Sequence, residues 1–127
     1  MPRPSQAADR LSTRAFGDEA ERRVRRHFRL RGYRVLTANT WIGGYELDLV
    51  VRRGRRVVVC EVKAKGGPDY GDPAEMVTVE KARRVSRAAE AWLAGRPDLA
   101  ACEVRLEAVA VRGRAIERIP LDGATAA

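Results

Sequence analysis

A chain of 127 residues with 45% hydrophobic content is long enough for one domain around a single core. Its 25 basic residues against 17 acidic ones leave a net charge of +8, which points to a polyanionic partner, nucleic acid before a membrane surface. No apolar run approaches bilayer-spanning length, residues 1–10 lack the apolar stretch of a signal peptide, and there is no lipidation motif; a cytoplasmic protein without a membrane partner is expected.

Residues 1–11 read as a disordered arm, a single domain fills 12–120, and 121–127 form a flexible tail. Ser12 or Thr13 can cap a helix that runs to about Leu30 or Arg31. Phe16, Ala20, Val24 and Phe28 recur every four residues and make its buried stripe. Arg14, Arg22, Arg25, Arg26 and Arg29 lie largely off that stripe. They suit a phosphate-facing ridge, and equally a solvated face paired in part with Asp18 and Glu21. Glu19 borders the stripe, where a carboxylate can aim at a sheet or merely end the apolar face. His27, the lone histidine, and two cysteines offer no zinc-site spacing, and Cys60 and Cys102 read as reduced thiols. Gly32 stops the helix, Tyr33–Ala38 forms a strand, and residues 39–44 a loop. In that loop Trp41 either packs on the core edge or stacks on a base.

Tyr45 to Lys65, YELDLVVRRGRRVVVCEVKAK, is the centre of the chain. Two alternating strands fold back at Arg53–Arg56, with Gly54–Arg55 as a type II′ tip and 53 opposite 56. Arg53–Gly54 is the alternative tip. Leu47, Leu49, Val51, Val58, Cys60 and Val62 then share one face, and Glu46, Asp48, Glu61 and Lys63 the other. The first register sets Asp48 against Glu61 and Glu46 against Lys63. Like charges so placed repel unless something neutralises them. A hard cation such as Mg²⁺ does so, and a water it acidifies can attack a phosphodiester. Lys63 would orient that nucleophile or stabilise the developing charge. The plainer alternative is a solvated strand face on which Lys63 pairs with Glu46. Only Lys63, Lys65 and Lys81 are lysines among the 25 cations, which favours a position 63 that needs a compact ammonium.

Residues 66–73 form a Gly/Pro loop behind Lys63, placing Tyr70 to touch a base or sugar, or simply to connect. Thr78 caps a helix from Val79 to Leu93, stopped by Gly95 and Pro97, with Val85, Ala88, Ala89 and Trp92 as its apolar line. Lys81 in its first turn opposes the helix dipole, a placement that suits a bound phosphate. Arg83, Arg84 and Arg87 extend that surface. Cys102–Val111 is a further strand with Val104, Leu106, Ala108 and Ala110 on one face, and Ala115–Ile119 a short edge strand. The order predicts an α/β sandwich of three layers with a mixed central β-sheet.

Gly17-Asp18-Glu19-Ala20, Gly32-Tyr33, Asn39, Glu46-Leu47-Asp48-Leu49, Glu61-Val62-Lys63 and Lys81 resemble, in order and spacing, the YraN-like family. That family is grouped with the PD-(D/E)XK nucleases, most closely with Holliday-junction resolvases. The resemblance spans about Arg14 to Ile119 and implies a restriction-endonuclease-like core. It implies Asp48 and Glu61 as metal ligands, Lys63 as the catalytic lysine, and Glu19 as an accessory acid. This chain departs from the pattern in Tyr45, where Gly is usual, in Leu106-Glu107, where an aromatic-Asp pair is usual, and in Lys65, where Arg is common.

The expected activity is Mg²⁺- or Mn²⁺-dependent endonucleolytic hydrolysis of DNA, branched DNA included. Asp48, Glu61 and the Val62 carbonyl would hold the metal, with Glu46 and Glu19 completing its surroundings. Lys81, Arg84, Arg87, Arg22, Arg25, Arg26 and Tyr70 would contact the nucleic acid. The alternatives are a non-catalytic nucleic-acid-binding module of the same fold, and a protein whose basic face meets an acidic protein. RNA as substrate and a homodimer stay open.

Overall fold

The computed structural model describes residues 18–65 and 78–121. The N-terminal arm, the Tyr70 loop and residues 122–127 lie outside them. Helix α1 covers residues 18–29. Strands β1 (Arg34–Ile42), β2 (Tyr45–Arg53) and β3 (Arg56–Lys65) follow, then α2 (Val79–Ala94), a 3-10 turn (Pro97–Leu99), β4 (Glu103–Arg112) and β5 (Ala115–Pro120). The five strands form one sheet in the order β1-β2-β3-β4-β5. All neighbours are antiparallel except β3 and β4, which run parallel across the α2 connection.

One helix covers each face of this mixed sheet, giving the expected three layers. On one side Ala20, Val24 and Phe28 of α1 pack on Leu49, Val51, Val58, Cys60 and Val109. On the other Ala82, Val85, Ala88 and Ala89 of α2 pack on Val50, Val57, Val59, Leu106, Ala108 and Ala110. Both helices therefore bury the stripe that their four-residue periodicity sets out. Thr78 caps α2 by accepting from the Lys81 N–H at 3.1 Å. α1 closes with Gly32 in the left-handed region (φ +86°), the Tyr33 N–H reaching back to the Phe28 carbonyl at 3.0 Å.

The β2–β3 tip is Gly54–Arg55, with Arg53 opposite Arg56. Gly54 has φ +59° and Arg55 is not among the positive-φ residues, as a type II′ turn requires.

Three expectations are corrected. Residues 39–44 are not a loop: β1 runs on to Ile42 and joins β2 through Gly43–Gly44, whose φ values of +60° and +77° make a tight two-residue turn. Leu47 does not share a side with Leu49 and Val51 but joins the α2-side core. Between the pairs Ala38↔Leu49 and Thr40↔Leu47 sits Asn39, with φ +52°, and the ribbon turns there. Leu121 is no part of a loose tail: it is fully buried, and its N–H donates to the Leu106 carbonyl at 2.8 Å. Both cysteines are free thiols, Cys60 buried and Cys102 half-buried.

Candidate active site

The β2–β3 ladder stops at Leu49↔Cys60. Beyond that pair β2 stays with β1 as far as Ile42↔Tyr45, while β3 stays with β4 as far as Lys65↔Arg112. The two strands that carry the Glu-x-Asp and Glu-x-Lys motifs thus part, and the direct pairings of Asp48 with Glu61 and Glu46 with Lys63 are not formed. Asp48 fills the opening instead, its Oδ2 accepting the Val62 N–H at 2.8 Å in place of a ladder carbonyl.

Burial pushes the Asp48 carboxyl up to about 6. The charges of Glu21, Glu61 and Glu46 push the same way, against the Val62 N–H, which favours the ionised form. Glu61 is 6% exposed. Its Oε1 accepts the Tyr45 hydroxyl at 2.9 Å and faces two ammoniums, Lys63 Nζ at 3.7 Å and Lys81 Nζ at 3.9 Å. Its Oε2 is buried and has no hydrogen-bond partner among the described residues. Such an atom is rare in folded proteins and calls for an explanation. Burial, then the Glu61 charge and hydrogen bond, hold the Tyr45 hydroxyl protonated far above its ordinary range.

The structure brings Asp48, Glu61, Val62 and Lys63 together, with Glu46 at the edge. It does not bring Glu19. That side chain is exposed and paired with Arg22 at 2.8 Å. At about 100° per residue, Glu19 lies roughly 140° from the centre of the Ala20–Val24–Phe28 stripe, and Glu21 only about 60°. Glu21 is the acid that reaches the site: it accepts from Asn39 Nδ2 at 3.2 Å, and its charge is first among those acting on Asp48. Burial is the main cause that raises its own carboxyl. The helical angle held that signal, whereas nothing in the sequence singled out the Tyr45 contact.

Lys81 Nζ lies 3.9 Å from Glu61 Oε1. Arg84 is engaged by Glu80 at 2.6 Å, Arg22 by Glu19, and Arg25 lies beside Glu21. Arg26 and Arg87 remain exposed. Tyr70 falls outside the described residues. On the α1 side of the sheet Glu107 and Arg118 make a two-pronged ion pair at 2.7 and 2.9 Å, with the guanidinium 4.6 Å over the Phe28 ring. His27 is half-buried, and burial followed by the Arg31 and Arg118 charges keeps its imidazole below its ordinary value.

Among the described residues no three His, Cys, Asp or Glu side chains gather into a ready metal cage. A hard cation does not need one, since Mg²⁺ takes one or two carboxylates and completes its shell with water and substrate oxygens. The unpaired Glu61 Oε2, beside an Asp48 whose charge its neighbours disfavour, fits such an ion.

The profile of the Uncharacterised protein family UPF0102 matches residues 20–111. A UPF0102 protein of Dechloromonas aromatica is 38% identical over 108 residues, covering 85% of this chain and 88% of that one. One of Methylorubrum extorquens is 40% identical over 113 residues, covering 89% and 87%. One of Serratia proteamaculans is 35% identical, covering 87% and 95%. Among solved structures, Pyrococcus furiosus SfsA in complex with Ca²⁺ aligns at 16% identity and a TM-score of 0.29. It covers 89% of this chain and 64% of that one, and a likeness this low carries no argument.

Proposed function

The chain belongs to the UPF0102 family, which is the YraN-like family, and from that premise we propose that it is a Mg²⁺-dependent endonuclease that hydrolyses phosphodiesters in DNA. The observation that carries this reading is the buried Glu61, whose Oε2 is unpaired among the described residues, next to Asp48 in the opening where β2 and β3 part. Asp48 and Glu61 would hold the ion, with the Val62 carbonyl as a third ligand. Bound there, Mg²⁺ supplies Lewis acidity toward a phosphoryl oxygen and makes its own water more acidic.

The chain's own groups do the rest. The Tyr45 hydroxyl holds Oε1 of Glu61 in place, so that the carboxylate cannot swing as the charge around it changes. Lys63, half-exposed beside Glu61, presents an ammonium where negative charge develops on the phosphoryl group. Lys81 adds a second ammonium from α2. The Val62 N–H keeps Asp48 turned into the opening. The net charge of +8 suits a polyanion, and no helix among the described residues is long and apolar enough to cross a membrane. A cytoplasmic site of action agrees with the two free thiols.

A second reading has its own support. Two lysines already lie within 4 Å of Glu61 Oε1, as they would in a binding module that offsets the carboxylate with ammoniums instead of a metal. Incubation of linear, nicked and four-way-junction DNA with Mg²⁺, Mn²⁺ or EDTA decides between them. Metal-dependent cleavage that Glu61→Gln abolishes supports the nuclease. Metal-independent binding without cleavage of any substrate leaves the binding module.

A further inference from the structure

A cleft lies away from the carboxylates. It opens at the far end of β2, has a volume of about 490 Å³, and is lined by Arg29, Gly32, Tyr33, Arg34, Arg52, Arg53 and Gly54. Four of these residues are arginines and none is acidic. Arg34 and Arg52 stand directly opposite each other across the antiparallel β1–β2 pair. Like charges so placed repel; the lining holds no carboxylate, and the Asp98 charge that acts on Arg52 from outside it is engaged first by Arg96.

Two of the guanidiniums are fixed in advance. Arg53 lies 4.7 Å over the Tyr33 ring and donates to the Arg31 carbonyl at 2.9 Å. Its stem passes so near Gly32 that a Cβ there would meet Arg53 Cδ at 3.4 Å. Arg52 donates through Nε to the Gly54 carbonyl at 2.8 Å. Each retains further N–H groups to give. The guanidiniums of Arg29 and Arg34 have no ion-pair or hydrogen-bond partner among the described residues. A cleft lined by four arginines and no acid, two of them held in place, is suited to phosphate, which guanidinium binds in two-pronged fashion.

We propose that this cleft is a phosphate-binding site that grips a backbone phosphate of a nucleic-acid strand. Arg52 and Arg53 lie four and five residues from Asp48 along β2, or about 15 Å. α1 spans a similar reach, with Glu21 near the carboxylates and Arg29 at the cleft. At about 3.4 Å of helix axis per phosphate in one strand, the cleft takes a phosphate some four or five nucleotides from the one at Asp48. The assignment needs a nucleic-acid partner and does not depend on cleavage.

The test is fluorescence anisotropy with a labelled 16-base-pair duplex across a salt series. The variant is Arg29→Gln with Arg34→Gln, which removes two guanidiniums that hold nothing else in place. The control, Arg105→Gln with Arg114→Gln, loses the same charge away from the cleft. The cleft variant should flatten the slope of log affinity against log salt by about two units and weaken binding about tenfold or more at fixed salt. The control should change far less. Equal effects in the two variants overturn the site, because bulk charge then explains both. Displacement of duplex from the wild type by micromolar nucleoside monophosphate also overturns it, in favour of a free-nucleotide pocket. The variant's thermal midpoint at low salt should match or exceed the wild type, since a repulsion is removed; a lower midpoint refutes the like-charge argument. Mg²⁺ calorimetry on the same variant separates this cleft from the carboxylate site, which it should leave unaltered.

Discussion

Asp48→Asn isolates the electrostatics of the opening between β2 and β3. The asparagine Oδ1 can still accept the Val62 N–H, so the strand geometry is kept while the charge is lost. The Asp48 carboxyl rises from about 3.8 to about 6 on folding, chiefly through burial. Between those values the folded protein binds the proton more tightly than the unfolded chain, so stability falls as pH rises through that window. Above pH 6 the whole penalty is present. About 2 pKa units correspond to about 3 kcal/mol, and the partial exposure of the site brings this nearer 2 kcal/mol. For a domain of this size that is roughly 8 °C in Tm. Thermal unfolding in EDTA from pH 3.5 to 8 should therefore show the variant matching the wild type at the acid end and exceeding it by about that amount at pH 7.5. Mg²⁺ should stabilise the wild type increasingly as pH rises past 6, and the variant little at any pH. A variant less stable than the wild type at pH 7.5 without metal would refute the account, because Asp48 would then be held by attraction rather than repelled.

Lys63→Arg keeps the charge but replaces a compact ammonium with a planar fork; cleavage should fall by orders of magnitude while anisotropy reports nearly unchanged DNA affinity. Tyr45→Phe removes a hydroxyl bonded to Glu61, and a hydrogen bond to a charged group is worth about 1.5–3 kcal/mol. Chemical denaturation should show a loss in that range, and calorimetry a weaker Mg²⁺ affinity. Glu107→Ala leaves the Arg118 guanidinium without its two-pronged partner against Phe28, and a loss of about 2–4 kcal/mol in urea unfolding is expected with Mg²⁺ binding intact.

The hairpin and both helices could be read from the chain because short-range rules govern them. Alternation sets Val57 to Cys60 on two faces, Gly54 takes the positive φ its turn demands, and Thr78 caps α2. The nearness of the two motifs followed from the hairpin, though the direct pairing of Asp48 with Glu61 is not formed. What lay out of reach came from departures over a longer range. Alternation alone puts Leu47 on the α1 side; it lies on the other, opposite the stretch of β1 that holds the left-handed Asn39. Pairing rules likewise extend the ladder past Cys60. The competing hold of β1 on β2 and of β4 on β3 is what parts them. Glu21 was within reach through the helical angle. Trp41 read most simply as a core-edge residue, but at 70% exposure it sits in neither core, because β1 is an outer strand with an open side.

That open side has a consequence for association. Among the described residues β1 and β5 each pair on one side only, and such an edge is a template on which further strands, of this chain or another, can add by main-chain pairing. β1 is a poor template, since its register shifts between Val35 and Thr37 and its backbone reverses hand at Asn39. At the other edge β5 has only six residues, carries Glu117 and Arg118, and ends at Pro120, which has no N–H to give. The irregularity at Asn39 therefore does two things at once: it sets the Asn39 amide against Glu21 beside the acidic opening, and it denies a flat run of amides to a neighbouring molecule, so that copies of this chain brought close together need not exchange strands.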